Sequence, residues 1–278
     1  MKHKLGMSGS TIFSEPKLYS ELFIDGINHI EIGEFQDEAA VKEFLRINKE
    51  KGTTFGIHSP LLRSGSKYDL LEKVRYEPSD AWNMLEKEAE KMAGLGAKYI
   101  LVHFPYFKEE VEFDTDEIIE EGLKKLSYIQ EKYSIKLICE PKLGLNRSGV
   151  GIEYLNKFPL AIWEKYNLGL CIDIGDYIIA TEDKILNYIE KWKKFICEVH
   201  LHNVFYSEDE YIWTPVHPSQ EQDNDFYKVK HIIEALANCN DVTFIFEHTP
   251  ETNPSKEFVS EGIEWVAKLI DNTHCSHE

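Results

Sequence analysis

Short apolar runs that end on a residue able to bind a metal ion are the feature that most restricts the fold of this sequence. The clearest run is FICEVHLHN at 195–203, where His200 and His202 are spaced by two. Because side chains alternate across a strand, both imidazoles are expected on the same side at its C-terminal end. Five further runs end in the same way, at His58, His103, Glu140, Asp173 and Glu247. We therefore predict one site at one end of a parallel barrel.

Strand-like and helix-like segments alternate along the whole chain. The predicted strands cover 4–7, 26–32, 53–58, 99–103, 136–140, 168–173, 195–203 and 243–247. Apolar residues at helical spacing predict helices over 37–51, 79–95, 114–132, 152–166, 181–193, 226–236 and 255–272, and residues 203–225 are expected to form a long loop. Such alternation implies parallel pairing with helical crossovers. We predict an α/β fold with a single (β/α)₈ TIM barrel over residues 1–278, not a Rossmann sheet, because no Gly-rich fingerprint follows the first strand.

The charge balance restricts the partners. The chain has 31 basic and 49 acidic residues, a formal net charge of −18, and no run of Lys and Arg. Such a chain repels polyanions, which argues against nucleic acid and anionic membranes. A small anionic substrate held by one or two local basic residues remains compatible with this charge.

Two further observations concern the cellular setting. No apolar run approaches the roughly 20 residues needed to span a bilayer, and the first residues lack the apolar core of a signal peptide. We therefore expect a soluble cytoplasmic protein. The five cysteines are scattered without a C-x-x-C pair, which argues against a disulfide scaffold and against cysteine-based zinc binding.

The strand ends together supply a set of hard metal ligands. In a TIM barrel the C-terminal strand ends carry the chemistry. Carboxylates with one or two imidazoles suit one divalent ion, Mn²⁺, Mg²⁺, Co²⁺ or Zn²⁺, and a catalytic site keeps coordination positions open for water or substrate. The strand-end residues in order are Glu31, His58, His103, Glu140, Asp173, His200 and Glu247, with Asp176 and His217 on adjacent loops.

This pattern resembles the xylose isomerase-like superfamily of TIM barrels, which contains sugar isomerases and epimerases, inosose dehydratases and endonuclease IV-type apurinic endonucleases. The resemblance implies a metal-binding Glu, Asp, His and Glu after strands five to eight, at Glu140, Asp173, His200 and Glu247. His200 is preferred over His202 because the family's ligand precedes an acidic residue by three positions. Asn203 stands at that position, so this chain departs from the pattern.

The endonuclease branch implies further histidines, of which His58 and His103 match two and His217 could match a loop histidine. Two positions depart from that branch. Asp176 stands where it has a histidine after strand six, and Pro215 stands where it has a loop aspartate. A three-zinc site would lack two ligands, which together with the net charge of −18 argues against DNA repair.

The sugar-isomerase branch implies that Glu140 and Glu247 act as an acid/base pair, moving a proton through an enediolate on a small sugar or sugar phosphate. Arg63, Lys142 and Arg147 are candidates to bind a phosphate. The residues interpreted as substrate contacts are His58, His103, Asp176, His202, His217 and Arg147.

Several alternatives stay open from the sequence. Glu31, Asp176, His202 and His217 could equally be helix caps or satisfied polar groups. The aromatic loop residues could wall a sugar pocket, or cover the barrel rim or a homo-oligomer interface. A sugar isomerase or epimerase is the preferred function. The alternatives are an endonuclease IV-like phosphodiesterase, a dehydratase of the same superfamily and a barrel that binds without turnover.

Overall fold

The computed structural model describes residues 3–181, 184–207 and 210–275. Eight parallel strands close into a barrel in the order β1-β10-β7-β6-β5-β4-β3-β2, and β8 and β9 form a separate antiparallel pair. The strands are β1 Lys4–Ser8, β2 His29–Ile32, β3 Thr54–His58, β4 Tyr99–His103, β5 Lys136–Glu140, β6 Gly169–Asp173, β7 Ile196–Leu201, β8 Asn203–Ser207, β9 Glu210–Thr214 and β10 Thr243–Phe246. The predicted (β/α)₈ TIM barrel is confirmed.

Helices connect the barrel strands. Asp37 caps the first helix by accepting the N–H of Ala40 at 2.9 Å, and Gly52, with φ +71°, ends it. The helices are α1 Glu38–Lys51, α2 Pro78–Leu95, α3 Thr115–Tyr133, α4 Val150–Lys157, α5 Leu160–Trp163, α6 Ile174–Thr181, α7 Ile185–Trp192, α8 Lys230–Ala237 and α9 Lys256–Cys275. Short 3₁₀ helices cover Gly9–Ile12, Pro16–Leu22, Leu145–Arg147, Glu164–Tyr166, Pro218–Gln222 and Pro250–Thr252.

The alternation of side chains along each strand divides the core into two parts. Outward-facing residues such as Val102 and Leu137 join a large apolar layer between the barrel and its helices. Inward-facing residues form a much smaller apolar cluster of Tyr99, Leu101, Ile138 and Cys171. The inward set also contains fully buried charged and polar residues, among them Glu31, Glu198 and His200.

Several segments differ from the sequence-based expectation, including α6 Ile174–Thr181, a helix that was not predicted. Residues 203–207 and 210–214, expected to lie in a loop, pair as β8 and β9 in the β8–β9 hairpin, with Val204 opposite Trp213 and Tyr206 opposite Tyr211. Cross-strand aromatic contacts, such as the 4.8 Å between the Tyr206 and Tyr211 ring centroids, stabilise such a pair. The segment predicted as one helix over 152–166 is divided among α4, α5 and a 3₁₀ turn, since Pro159 interrupts it.

Within the described ranges, no helix has both the length and the apolar character that crossing a bilayer would require.

Gly33 lets the end of β2 lie directly against the end of β3. A Cβ atom at this position would be 1.7 Å from the backbone oxygen of His58 and 3.1 Å from that of Pro60. Both obstacles are backbone atoms, so a side-chain rotation cannot relieve the clash. This close approach fixes the position of His58, one of the residues predicted to lie in the site.

We expect Gly33→Ala to lower the free energy of unfolding by about 1–3 kcal/mol, because overpacking forces the backbone to shift. The matched control is Gly94→Ala in α2, where a Cβ would meet nothing within 4 Å. This control is expected to raise stability by about 0.4–1 kcal/mol, since alanine restricts the unfolded chain. Urea unfolding of both variants measures the difference, and equal stabilities would contradict the packing described for Gly33.

Candidate active site

Four of the predicted ligands converge at the C-terminal end of the barrel. Glu140 ends β5, Asp173 ends β6, His200 lies on β7 and Glu247 directly follows β10. One nitrogen or oxygen from each lies within 4.8 Å of all the others. Ligands bound to one ion at about 2.0–2.4 Å are separated by such distances. These four residues could therefore hold a metal ion.

His200 lies at the centre of this group and is fully buried. Its Nδ1 is 2.6 Å from Glu247 Oε2 and 3.4 Å from Glu140 Oε1. Its Nε2 is 2.9 Å from Glu31 Oε1, on the inner side of the barrel. Burial alone would lower the pKa of His200, but the acidic groups around it, including Glu247 and Glu31, raise that pKa well above its usual value.

Glu140 is fully buried and contacts cationic or polar groups through both oxygens. Oε1 accepts a hydrogen bond from Lys142 Nζ at 2.9 Å, and Oε2 lies 3.2 Å from His103 Nε2 and 3.5 Å from His58 Nε2. Burial tends to raise the pKa of Glu140, but Lys142 and His200 hold it well below its usual value. The carboxylate is therefore ionised over the ordinary pH range.

Lys142 joins three carboxylates at the mouth of the barrel. Its Nζ lies 2.9 Å from Glu140 Oε1, 3.1 Å from Asp173 Oδ2 and 2.5 Å from Asp176 Oδ2. The N–H of Asp176 also donates to Asp173 Oδ1 at 2.9 Å. Burial and the neighbouring Asp173 raise the pKa of Asp176 to about 6. Lys142 thus compensates a local excess of negative charge.

His202 contacts Asp173 and does not line the cavity. Its Nε2 is 2.8 Å from Asp173 Oδ1, and its ring stacks on Trp213 with centroids 5.0 Å apart. Asp173 raises the pKa of His202 above its usual value, although burial opposes the change. This geometry orients the Asp173 carboxylate.

His58 and His103 form one wall of the site, with ring centroids 4.8 Å apart in an edge-to-face arrangement. Together with Glu140 they make a second group of three donors within 4.8 Å of one another. Burial lowers the pKa of His103 to about 3, although Glu140 opposes the shift, so this imidazole is neutral. Glu140 therefore belongs to two donor sets.

A cavity of about 990 Å³ opens above these residues. Among the predicted residues that line it are His58, His103, Asp173, Asp176, Glu247 and Arg147. Glu140 and His200 lie beneath its floor, since both are fully buried. Tyr68, Tyr106 and Trp213 contribute aromatic surface to the wall. A polar floor under a partly aromatic wall suits a small polar ligand.

His217 is not brought to this cavity. It caps the 3₁₀ helix Pro218–Gln222, and its Nε2 lies 3.0 Å from Glu261 Oε2. Its ring also stacks on Phe258, with centroids 4.0 Å apart. These contacts hold the imidazole on the side of α9, and His217 is not among the residues that line the cavity, so its contact with substrate stays a prediction.

The family model for the xylose isomerase-like TIM barrel matches residues 21–269. The chain belongs to this family. No curated protein matches the sequence.

Solved structures agree with this family on the fold. The 3-keto-D-glucoside 4-epimerase YcjR from E. coli has a TM-score of 0.63 and 14% identity, covering 96% of this chain and 99% of that one. D-allulose 3-epimerase from Methylomonas sp., in complex with D-allulose, has a TM-score of 0.64 and 11% identity, covering 96% and 97%. A protein of the same fold from Mycobacterium smegmatis, in complex with magnesium, has a TM-score of 0.59 and 12% identity, covering 95% and 90%.

Two further carboxylates lie inside this xylose isomerase-like barrel. Glu31 is among the predicted strand ends without an assigned role, and Glu198 was missed from the sequence. Glu31 and Glu198 are both fully buried, and they lie 2.9 Å and 3.6 Å from His200 Nε2. Tyr99 donates to Glu31 Oε2 at 3.0 Å. Burial, together with the nearby Glu31 carboxylate, raises the pKa of Glu198 well above its usual value. The sequence signal for Glu198 was its spacing, because it precedes His200 by two positions and therefore faces the same side of β7.

Glu88 of α2 supports the loop that follows His58. Its Oε2 accepts the N–H of Leu61 at 2.9 Å, while Oε1 is buried without a hydrogen-bond partner, although the residue as a whole is partly exposed. Burial raises the pKa of Glu88 from 4.5 to about 7, even though the hydrogen bonds from Leu61 and Ser59 oppose the shift. The folded protein therefore retains this proton at pH values where the unfolded chain has lost it.

Between about pH 4.5 and 7 the folded state binds a proton that the unfolded state does not, so stability falls as the pH rises through this range. Glu88→Gln is neutral and can accept the same N–H from Leu61. We expect the free energy of unfolding of this variant to exceed that of the wild type by about 1–3 kcal/mol at pH 8. At pH 5 the two free energies should differ little. Urea unfolding at both pH values is the measurement.

The control for this experiment is Glu86→Gln on the same helix, where Lys132 Nζ lies 2.6 Å from Glu86 Oε1 and holds the pKa of Glu86 below its usual value. This variant should gain no stability at pH 8. A wild-type chain as stable as Glu88→Gln at pH 8 would contradict the raised pKa.

Proposed function

We propose that this protein is a divalent-metal-dependent isomerase or epimerase of a small sugar or sugar phosphate, acting by proton transfer through an enediolate. The observation that carries the proposal is the group formed by Glu140, Asp173, His200 and Glu247 beneath a cavity of about 990 Å³. The names of the structural neighbours support the same chemistry, since they include epimerases of small sugars.

The donor chemistry of this group fits one divalent ion, which we assign as Mn²⁺, Mg²⁺, Co²⁺ or Zn²⁺. Glu140 Oε2 and His200 Nδ1 are buried without an aligned hydrogen bond in the described structure. Three carboxylates and one imidazole would hold the ion, leaving positions for a substrate that binds through two oxygens. Such an ion supplies Lewis-acid chemistry, which acidifies a C–H bond next to a carbonyl. A magnesium complex of one neighbour supports the assignment.

We assign the proton transfer to Glu140 and Glu247. Glu247 lines the cavity, where it can remove a proton from the carbon next to a carbonyl. Glu140 is the second carboxylate beside the same ring nitrogen, since His200 Nδ1 is 2.6 Å from Glu247 and 3.4 Å from Glu140. Two carboxylates on different sides of one carbon can remove a proton from one face and return it from the other, which is the requirement for epimerisation.

The remaining polar residues bind and orient. His58, His103 and Asp176 line the cavity and are assigned to hydrogen bonds with sugar hydroxyls. His202 is assigned to holding Asp173, because its Nε2 is 2.8 Å from Asp173 Oδ1 and its ring is outside the cavity. Such partners fix the orientation of ligand carboxylates.

We expect Glu140→Gln and Glu247→Gln each to reduce carbon–hydrogen exchange of a ketose in D₂O by about 10²–10⁴-fold, since each removes an acid/base group. Exchange is followed by NMR in the presence of Mn²⁺, Mg²⁺, Co²⁺ or Zn²⁺. The control is Glu251→Gln. The Glu251 carboxylate lies at the cavity rim outside the donor set, so this variant should catalyse exchange of the ketose at nearly the parental rate. Parental exchange in both site variants would show that the acid/base assignment is wrong.

A metal-dependent phosphodiesterase is the second candidate, and one observation favours it. His58, His103 and Glu140 form a further donor set that shares Glu140 with the first. Two bound ions a few ångströms apart are typical of enzymes that cleave phosphoesters. The net charge of −18 and the position of His217 away from the cavity count against a nucleic-acid substrate.

The metal content of the purified protein separates the two candidates. We expect one divalent ion per chain by elemental analysis after dialysis, because the Lys142 ammonium, 2.9 Å from Glu140 Oε1, repels a second cation near Glu140. His103→Ala serves as the test of the second set. It should leave the metal content at one ion, whereas a fall from two ions to one would favour the phosphodiesterase.

A further inference from the structure

Arg147 extends over two aromatic rings of the β8–β9 hairpin. Its guanidinium carbon lies 4.7 Å from the ring centroid of Trp213 and 5.5 Å from that of Tyr211. All three residues line the cavity. A guanidinium stacked on a ring keeps its N–H donors at the edge of its plane, where they can bind a planar or tetrahedral anion.

No carboxylate in the described part of the chain lies within 4.0 Å of this guanidinium. The other cations of the cavity wall are already engaged. Lys142 contacts three carboxylates, and Lys67 Nζ lies 3.0 Å from Glu34 Oε2. Arg63 donates to the backbone oxygens of Glu34 at 2.9 Å and Phe13 at 2.6 Å. Among the cavity cations of the described residues, Arg147 is therefore the one whose N–H groups donate to neither a carboxylate nor a backbone oxygen.

The backbone places Arg147 in an unusual conformation. Asn146 and Arg147 both lie in the left-handed region, with φ of +52° and +61°. Neither residue is glycine, so this conformation is unfavourable unless the surroundings enforce it, and such residues concentrate at functional sites. It directs the Arg147 side chain onto the hairpin.

The stack also connects Arg147 to the metal-ligand group. Trp213 packs on His202 with ring centroids 5.0 Å apart, and His202 Nε2 contacts Asp173 Oδ1 at 2.8 Å. The guanidinium is thus held by a series of packed rings at a fixed place relative to Asp173. A fixed separation lets one ligand be recognised at two points.

We propose that Arg147 binds an anionic group, a phosphate or a carboxylate, carried by the sugar whose carbon reacts at Glu140 and Glu247. The inference rests on the proposed function for the position of that carbon. A cavity of about 990 Å³ has room for both ends of such a molecule. Because the chain carries a net charge of −18, an anionic ligand needs a local cation, and Arg147 supplies it.

Equilibrium binding by calorimetry tests the proposal on the full chain loaded with Mn²⁺. The probes are fructose, fructose 1-phosphate, fructose 6-phosphate and fructuronate, so that phosphate and carboxylate are compared against the same neutral sugar. At least one anionic probe should bind about 10–100-fold more tightly than fructose, as expected for charge-assisted hydrogen bonds. Arg147→Gln should remove most of this preference.

The matched control is Arg75→Gln. Arg75 also stacks on an aromatic ring, with its guanidinium carbon 5.1 Å from the Tyr76 centroid, but it does not line the cavity. Arg75→Gln changes the net charge by the same amount as Arg147→Gln, and it should keep the preference for anionic probes over fructose. A preference that survives in Arg147→Gln would overturn the proposal, as would anionic probes that bind no better than fructose or not at all.

Carbon–hydrogen exchange in D₂O on the same samples separates this proposal from the proposed function. Exchange of fructose without any preference for anionic probes would refute the role of Arg147 and leave the isomerase chemistry intact. An Arg147-dependent preference without exchange of any probe would support the anion site and refute the isomerase chemistry.

Discussion

Burial of carboxyl groups inside the barrel and at its mouth is the constraint on which the rest of the site depends. Five carboxylates, those of Glu31, Glu140, Asp173, Asp176 and Glu198, are each at most 2% exposed. Removing one ionised carboxylate from water costs several kcal/mol unless it is paired. The barrel can hold these groups only with cations among them or with a carboxyl group protonated, as the raised pKa of Glu198 indicates. Lys142 and His200 supply part of that charge, and the four-residue donor set provides a place for a divalent ion.

His200 connects the two levels of this charged interior. Its Nδ1 faces Glu247 and Glu140 at the mouth, and its Nε2 faces Glu31 and Glu198 inside the barrel. The inner contacts orient the ring so that Nδ1 is directed to the donor set, as carboxylates do for metal-binding histidines in general. Tyr99 extends this network toward the N-terminal end through its hydrogen bond to Glu31. The polar interior therefore supports the site and replaces part of the apolar filling usual in such barrels.

The fold was predictable because its signals are local and repeated. Apolar runs such as 99–103 and 136–140 end on polar residues, and strand pairing places those ends together. The convergence of Glu140, Asp173, His200 and Glu247 follows from this regularity. Loop conformations have no such regularity. His217 has the sequence position of a ligand, but capping of the 3₁₀ helix and the contact with Glu261 take it elsewhere.

The hairpin and Lys142 show a second limit of prediction from the sequence, since the positions of both depend on contacts with residues distant in sequence. Trp213 and Tyr211 pair with β8 through side chains that a loop prediction cannot place, and the hairpin then supports Arg147. Lys142 follows Pro141, where a strand has ended, so alternation does not predict that its Nζ reaches Asp173 and Asp176.

Lys142 and Asp176 also bear on the choice between the two chemistries. Asp176 stands where the endonuclease branch resembled by this sequence has a histidine, and its Oδ2 is 2.5 Å from Lys142 Nζ. An ammonium group at this distance repels a further cation, since like charges a few ångströms apart disfavour each other strongly in a buried site. The pair thus replaces a potential ligand with an internal ion pair. In the proposed function, one ion with a fixed ammonium beside it would stabilise a single developing oxyanion, which is the electrostatic requirement of an enediolate.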